Sequence, residues 1–463
     1  MGIAEAFIQR NTNAKVAVVD KDDPGGICLT RGCIPSKILL YPAEILRTIE
    51  RAGRFGIDAK IGRIDFGMVM RRMRTLIDKD IDKIREGLSH SPNIAYYPKV
   101  AQFVAPYTLE VQGETLHSDM IFLCTGSKPK IPPIKGIETV GYHTNISALR
   151  ITELPKSIVI VGGGYIAAEY GFFFSAMGSD VTIIGRNPKF LPQVEQEVST
   201  LVKDELQLNM QIFTNHEVRE VLKTSTNKKL VIAYDREKGE KLEVATDEIL
   251  IASGRAPNTD ILHPEKGGIK IDERGWIQVD EFLETSQPNI WALGDANGRY
   301  QFKHVANHEA RVVYYNAILK KRVKVDYHAI PYAVFTYPEI AGVGFGEKEA
   351  IEKFSKEKVL IGFHRYEDTA KGEAMDVKKY FVKVILERDS MKILGAHIIG
   401  PYASVLIQEI INLMYTPQQS ADPITGGMHI HPSLSEVVER AFSSLMTLDQ
   451  YHHTISHQHN VQE

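Results

Sequence analysis

Cysteine is scarce in this chain: three residues in 463 positions. A secreted disulfide framework needs many more, and a structural zinc site needs a second Cys pair at regular spacing. Long apolar runs are missing too. The most apolar stretch, 157–178, is broken by Glu169 and several glycines, which excludes a membrane span. No secretory leader pattern opens the chain. Charge of one sign is also lacking, since the net charge is −3, and that gives no electrostatic footing for nucleic acid. With 43% apolar and 24% charged residues, the chain has an ordinary globular profile, long enough for about two to four domains. The cytoplasm is the expected compartment.

Two of the three cysteines stand together, in Gly25-Gly26-Ile27-Cys28-Leu29-Thr30-Arg31-Gly32-Cys33. Four intervening residues let a helix opening bring one sulfur back over the other. A loop that short removes little entropy from the unfolded chain, so it is a weak staple. It suits a bond that opens and closes by thiolate attack. Cys124, in the apolar stretch 121–124, reads as a buried strand residue.

The strongest fold signal is 157–184. The β-branched run Ser157-Ile158-Val159-Ile160-Val161 meets Gly162-Gly163-Gly164. A helical pattern follows to about Met177, Gly178 stops it, and Val181 to Ile184 forms a second strand. Gly162, Gly164 and Ala167 give the G-x-G-x-x-A spacing of a dinucleotide turn, in which the backbone approaches a pyrophosphate at a helix N-terminus. The start of the chain reads as half of the same unit. Gly2 precedes a helical stretch, and Val16 to Asp20 forms a strand whose Asp20 stands where an acid holds a ribose. The first strand and earlier glycines of that unit are absent. Met1 is therefore expected to be an internal methionine of a chain that begins about ten residues earlier.

Further along, 285–296 reads as a strand ending at Gly294-Asp295. Strand-like runs over 377–387 and 392–399, followed by a helix over 405–414, mark a third unit. The segment 423–427 reads as a loop, and 451–463, polar and rich in histidine, as a mobile tail. His304 and His308 share helical i, i+4 spacing but lack a third ligand, so no metal is expected there.

These motifs occur in one order: Gly25 to Lys37, Thr125-Gly126, Gly162 to Glu169, Gly254-Arg255-Ala256-Pro257-Asn258, Gly294-Asp295, and His431-Pro432-Ser433-Leu434-Ser435-Glu436. Together they resemble the FAD-dependent pyridine-nucleotide disulfide oxidoreductases over nearly the whole chain. The resemblance implies an α/β fold with two Rossmann-like domains and a C-terminal α+β dimerisation domain. The expected boundaries are an FAD domain at 1–150, an NAD(P) domain at 151–279, an FAD-domain continuation at 280–326, an interface domain at 327–450 and the tail. It implies a homodimer whose active sites are completed by the second copy's C-terminal segment.

The resemblance also assigns roles. Cys28 is the interchange thiol and Cys33 the thiol against the flavin. Lys37 pairs with Glu169 beside the flavin. Gly2, Asp20, Gly26, Thr125, Gly126, Gly294 and Asp295 join Lys37 around FAD. Gly162, Gly164, Ala167 and Gly254 line the NAD(P) site, with Tyr165 as its lid. His431 serves as the base for Cys28, and Glu436 fixes its imidazole. His429 is the lesser candidate. After Ile184 come Gly185 and Arg186, then Lys189, with no carboxylate to accept from the ribose hydroxyls. NADP(H) is therefore expected to be used at least as well as NAD(H), through Arg186 and Lys189. NADP-dependent members of the family it resembles often carry a second arginine shortly after, and Pro192 near that place counts against NADP(H).

The expected activity is dihydrolipoamide dehydrogenase-like, with a lipoyl domain as a partner. The alternative within the class is an NADPH-dependent reductase of a mycothiol-type disulfide. The alternative of another class is a non-catalytic dimeric binding module with an impaired FAD site.

Overall fold

The computed structural model describes Ile8 and residues 14–460, with side chains described to Ile455. Gly2 lies outside the described residues.

Three bodies of sheet organise the chain. Near the start, Val16–Val19 pairs in parallel with Ile94–Tyr97, and Ile121–Leu123 pairs in parallel with Ile290–Ala292. Strands some 170 residues apart in sequence thus pair side by side.

The middle body is a five-stranded parallel sheet in the order Gln211–Phe213, Asp180–Ile184, Ser157–Val161, Glu248–Ile251, His143–Thr144. Its edge strand starts before the boundary expected at 151. The run Ser157–Val161 is buried along four of its five residues, as a parallel strand covered on both faces must be. Helix Tyr165–Met177 is buried almost all round, because helix Cys33–Arg51 packs on the side away from the sheet. Gly162 takes φ 140°, and a Cβ there would collide with the carbonyl oxygen of Ala252. That close approach ties the glycine turn to the neighbouring strand's end.

The third body is a six-stranded antiparallel sheet in the order Pro331–Val334, Ile340–Gly344, Ile393–Ile399, Phe381–Glu387, Val359–Arg365, Leu445–Thr447. Its central strands are buried along nearly their whole length, so their sequences run apolar without alternating.

Lys383 breaks that run and is fully buried. Its ammonium donates to Glu195 at 2.8 Å, Glu197 at 2.7 Å and Glu347 at 2.6 Å. Burial opposes its charge, but Tyr451 together with the three carboxylates outweighs burial and holds its pKa above the usual lysine range. The cluster joins the start of helix Gln196–Gln207, in the middle body, to the third sheet. Lys383→Met strips the carboxylates of their cation. The expected cost is about 3–5 kcal/mol, as for a buried pair that loses one partner, read as a fall in the urea midpoint. An unchanged midpoint would show that the cluster adds nothing to stability.

Two expectations need correction. The segment 423–427 is not simply a loop: Asp422–Gly426 is a short helix with Pro423 in its first turn, where a missing N–H costs nothing. The tail is not irregular, because helix Leu448–Asn460 runs through its described part and crosses the boundary set at 450. Thr447 and Gln450 cap it reciprocally: Thr447 N donates to Gln450 Oε1 at 2.9 Å, and Gln450 N to Thr447 Oγ1 at 3.3 Å. Tyr451 is buried, and its hydroxyl donates to Glu197 at 3.1 Å. Among the described residues, no helix is long and apolar enough to cross a membrane.

Candidate active site

Gly25 and Gly26 both take positive φ and turn the chain into helix Gly26–Arg31, which carries Cys28. Gly32 breaks that helix. A Cβ on Gly32 would lie 2.7 Å from the Ile27 carbonyl oxygen and 3.3 Å from Cys28 Cα. Only glycine permits so close a fold-back. Helix Cys33–Arg51 starts immediately afterwards, with Pro35 in its first turn.

Both cysteines are free thiols here, and they share a hydrogen bond. That bond lowers the Cys33 pKa to about 6, against burial and with help from Lys37. The same bond raises Cys28, and burial adds to the rise. The asymmetry has a local cause. Cys33 sits at a helix N-terminus, where a negative charge is favoured, with Lys37 one turn on. The hydrogen bond and Lys37 thus favour the thiolate on Cys33 over Cys28.

Lys37 and Glu169 meet in a two-pronged contact at 2.8 and 2.9 Å. Glu169 also accepts from Phe335 N at 3.2 Å, and the Lys37 ammonium lies 4.6 Å from the Phe335 ring centroid. A cleft of about 590 Å³ opens beside them, lined by Cys33, Ile34, Ile38, Tyr41 and Arg72 with Lys37 and Phe335.

At the other end of the chain, His431 Nδ1 is 2.9 Å from Glu436 Oε1, and Ser433 N donates to Glu436 Oε2 at 3.0 Å. The hydrogen bond from His431, then that from Ser433, holds the Glu436 carboxyl below the usual range. With Nδ1 donating to a carboxylate, Nε2 keeps its lone pair. The His431 side chain is 68% exposed and makes no contact with Cys28 of the same chain. The charged groups that act on Cys28 are Cys33 and Lys303, whose ammonium favours the thiolate. His429 instead faces Glu409 at 3.8 Å and is largely covered.

The residues expected around FAD converge in part. Asp20 follows the strand Val16–Val19, and its carboxyl is raised by burial. Asp22 N donates to it at 3.1 Å. Gly126 and Gly294 take φ 65° and 64°, left-handed values suited to glycine. Ser127 Oγ donates to Asp295, and Arg255 Nε to Ser127 Oγ at 2.6 Å. Asn258 holds the Thr125 carbonyl at 2.8 Å. Sequence reasoning named the 254–258 motif and assigned Gly254 to the nucleotide, but missed this clamp. Arg255–Pro257 leaves the parallel sheet and pairs with Ser127–Pro129.

Cys124 stands one position past the strand Ile121–Leu123; its side chain is accessible, yet burial among its surroundings pushes the thiol up. Thr125 Oγ1 is buried and has no hydrogen-bond partner. A buried hydroxyl left unpaired beside the positive-φ Gly126 is a place for a polar ligand. These residues fit FAD.

On the nucleotide side, Gly164 precedes helix Tyr165–Met177, with open space where a Cβ would stand. Ala167 is fully buried against the sheet. The Tyr165 ring stacks on Tyr332 at 5.7 Å and on Phe302 at 6.2 Å, and burial pushes its hydroxyl up to about 12. Arg186 is exposed at the end of strand Asp180–Ile184. Lys189 turns instead to the Val194 carbonyl at 2.5 Å, because its half-buried ammonium takes the nearest backbone acceptor. His304 Nε2 donates to the Pro331 carbonyl at 2.8 Å, and the His304–His308 pair gathers no third ligand among the described residues.

Known families and proteins match the chain along most of its length. The model described as "Pyridine nucleotide-disulphide oxidoreductase" matches residues 2–310, and that of its dimerisation domain matches 330–442. The mycothione reductase of Mycobacterium tuberculosis is 36% identical over 454 residues, covering 94% of this chain and 96% of the relative. A dihydrolipoyl dehydrogenase of Chlamydia muridarum is 31% identical over 462 residues, covering 97% and 95%. The solved HOCl-induced flavoprotein disulfide reductase RclA from Escherichia coli superposes with TM-score 0.84 at 28% identity, covering 96% of this chain and 97% of that one. The chain belongs to the pyridine nucleotide-disulphide oxidoreductase family and is a homodimeric, flavin-dependent disulfide oxidoreductase that uses FAD and NAD(P)H.

Proposed function

We propose that the chain is an NADPH-dependent reductase of a small, thiol-derived disulfide in the cytoplasm. The observation that carries this reading is the end of strand Asp180–Ile184. Gly185 and the exposed Arg186 follow it, and the first carboxylate after them, Glu195, is already held by Lys383. An NAD-selective site would place an acid there for the ribose hydroxyls, whereas a guanidinium suits a 2′-phosphate.

FAD, held by Asp20, Gly126, Gly294 and Asp295, would supply the hydride chemistry that links NADPH to the sulfur bridge. Everything else falls to the chain's own groups. The bond to Cys33 and burial both disfavour the Cys28 thiolate, so Cys28 needs a base before it can attack. His431 of the second copy supplies that base through Nε2. The Cys28 thiolate attacks one sulfur of the substrate, the S–S bond breaks, and the departing thiolate takes the proton from His431. The Cys33 thiolate then attacks Cys28, closes the intramolecular disulfide and releases the second thiol. Per disulfide, one NADPH and one proton are consumed and two thiols form. Lys37 and Glu169 hold a fixed charge pair beside Cys33 throughout.

The relative at 31% identity keeps dihydrolipoamide oxidation, with a lipoyl domain as carrier, as the second reading. It would use the same residues in reverse. A steady-state panel separates the two, with NADPH or NADH against mycothiol disulfide, glutathione disulfide, bis-γ-glutamylcystine and lipoamide. Faster turnover of dihydrolipoamide with NAD⁺ than of any disulfide with NADPH would replace the first reading by the second. Arg186→Glu is expected to lower kcat/KM for NADPH by about tenfold to a hundredfold and to spare NADH. An unchanged coenzyme preference would remove Arg186 from the site.

A further inference from the structure

The loop after strand Asp180–Ile184 is not alone at its end of the sheet. Gly185 N donates to the Phe213 carbonyl at 2.8 Å, and His216 N returns to the Gly185 carbonyl at 3.0 Å. Asn215 N donates to the Asn187 carbonyl at 2.8 Å, and Arg236 N to the Asn215 carbonyl at 2.8 Å. Through these ties the turn between strands Lys229–Asp235 and Lys241–Thr246 lies against residues 185–187. Arg236, on that turn, donates from Nη1 to the Arg186 carbonyl at 3.1 Å.

Both arginines are exposed, and neither guanidinium meets a carboxylate among the described residues. The acid nearest in sequence, Asp235, is already committed. Its Oδ1 accepts from Glu237 N and Lys238 N, both at 2.8 Å, and from Asn215 at 3.4 Å. It shapes the turn and leaves the Arg236 charge in place. Arg236 thus contributes a second unneutralised cation beside residues 185–187.

We infer that Arg236 is the second specificity residue for the 2′-phosphate of NADP(H), acting with Arg186 from a separate hairpin. The inference rests on the NADPH reading and deepens it. A dianionic phosphate can bridge two guanidiniums, and each contributes charge-assisted hydrogen bonds. The nearby peptide groups fix where the Arg236 stem leaves the hairpin, which lowers the ordering cost on binding.

Calorimetric binding of 2′,5′-ADP and 5′-AMP to the full-length flavoprotein tests it, with no catalysis involved. Wild type is expected to prefer 2′,5′-ADP. Arg236→Ala and Arg236→Glu should weaken 2′,5′-ADP by about tenfold or more and leave 5′-AMP unchanged, with Arg236→Lys in between. If Arg186→Ala erases the preference while both Arg236 variants keep it, the inference falls and the NADPH reading stands. If wild type binds the two nucleotides equally, both fall.

Discussion

Cys28→Ser abolishes disulfide turnover but leaves a low-pKa thiolate in the protein, whereas Cys33→Ser abolishes both. The expected loss of kcat/KM for any disulfide is on the order of 10⁴-fold or more in each variant, because either change removes a sulfur from the exchange. The thiolate separates them. Cys33 is lowered mainly by a hydrogen bond that a serine at position 28 can still donate, with Lys37 adding to it. A pH titration of thiolate ultraviolet absorbance in reduced Cys28→Ser should therefore show a transition near 6. In Cys33→Ser, Cys28 loses the partner that raised it, but its burial remains, so no transition near 6 should appear. The stability linkage has a definite sign. The folded Cys33 value lies below that of a free thiol, about 8.5. Its contribution is complete above that unfolded value and is lost as pH falls through about 6. A transition near 6 in Cys33→Ser and none in Cys28→Ser would reverse the assignment of the two sulfurs.

What could be read from the chain was local. The Cys28–Cys33 segment, the Gly162–Ala167 turn and the His431–Glu436 frame each place their groups within about two helical turns, so spacing alone carries the geometry. The buried cluster around Lys383 had no such signature. Its three carboxylates lie 36 to 188 residues away, and a lysine in an apolar strand gives no hint of them. The Arg255–Ser127–Asp295 clamp and the approach of Arg236 to Arg186 are also made by topology, through strands that cross between the sheets. The last helix is a different kind of miss. Thr447 to Gln450 is a readable capping box, and Leu448, Tyr451 and Ile455 share one face, but the density of histidines masked the period.

His431→Gln is expected to lower kcat/KM for the disulfide by about 10²- to 10⁴-fold near neutral pH. Reduction of a quinone by NADPH, which needs no dithiol, should be spared. The size of the loss follows from the local partners: the base that Cys28 meets among the described residues of its own chain is Cys33, which the second exchange step needs as a nucleophile. Hydroxide can replace the lost base, so the variant's rate should climb with pH where wild type is flat. Glu436 does not set the acid limb of wild type. The hydrogen bonds from His431 and Ser433 hold its carboxyl below the usual range, so it stays ionised as pH falls toward that range. The decisive form of the experiment uses two chains. Dimers are assembled from one Cys28→Ser chain and one His431→Gln chain, both inactive alone. If each site takes Cys28 from one copy and His431 from the other, the mixed dimer contains one intact site. Its rate should return to about half that of wild type. If Cys28 and His431 of the same chain worked together, both sites would be broken and the mixture would stay dead.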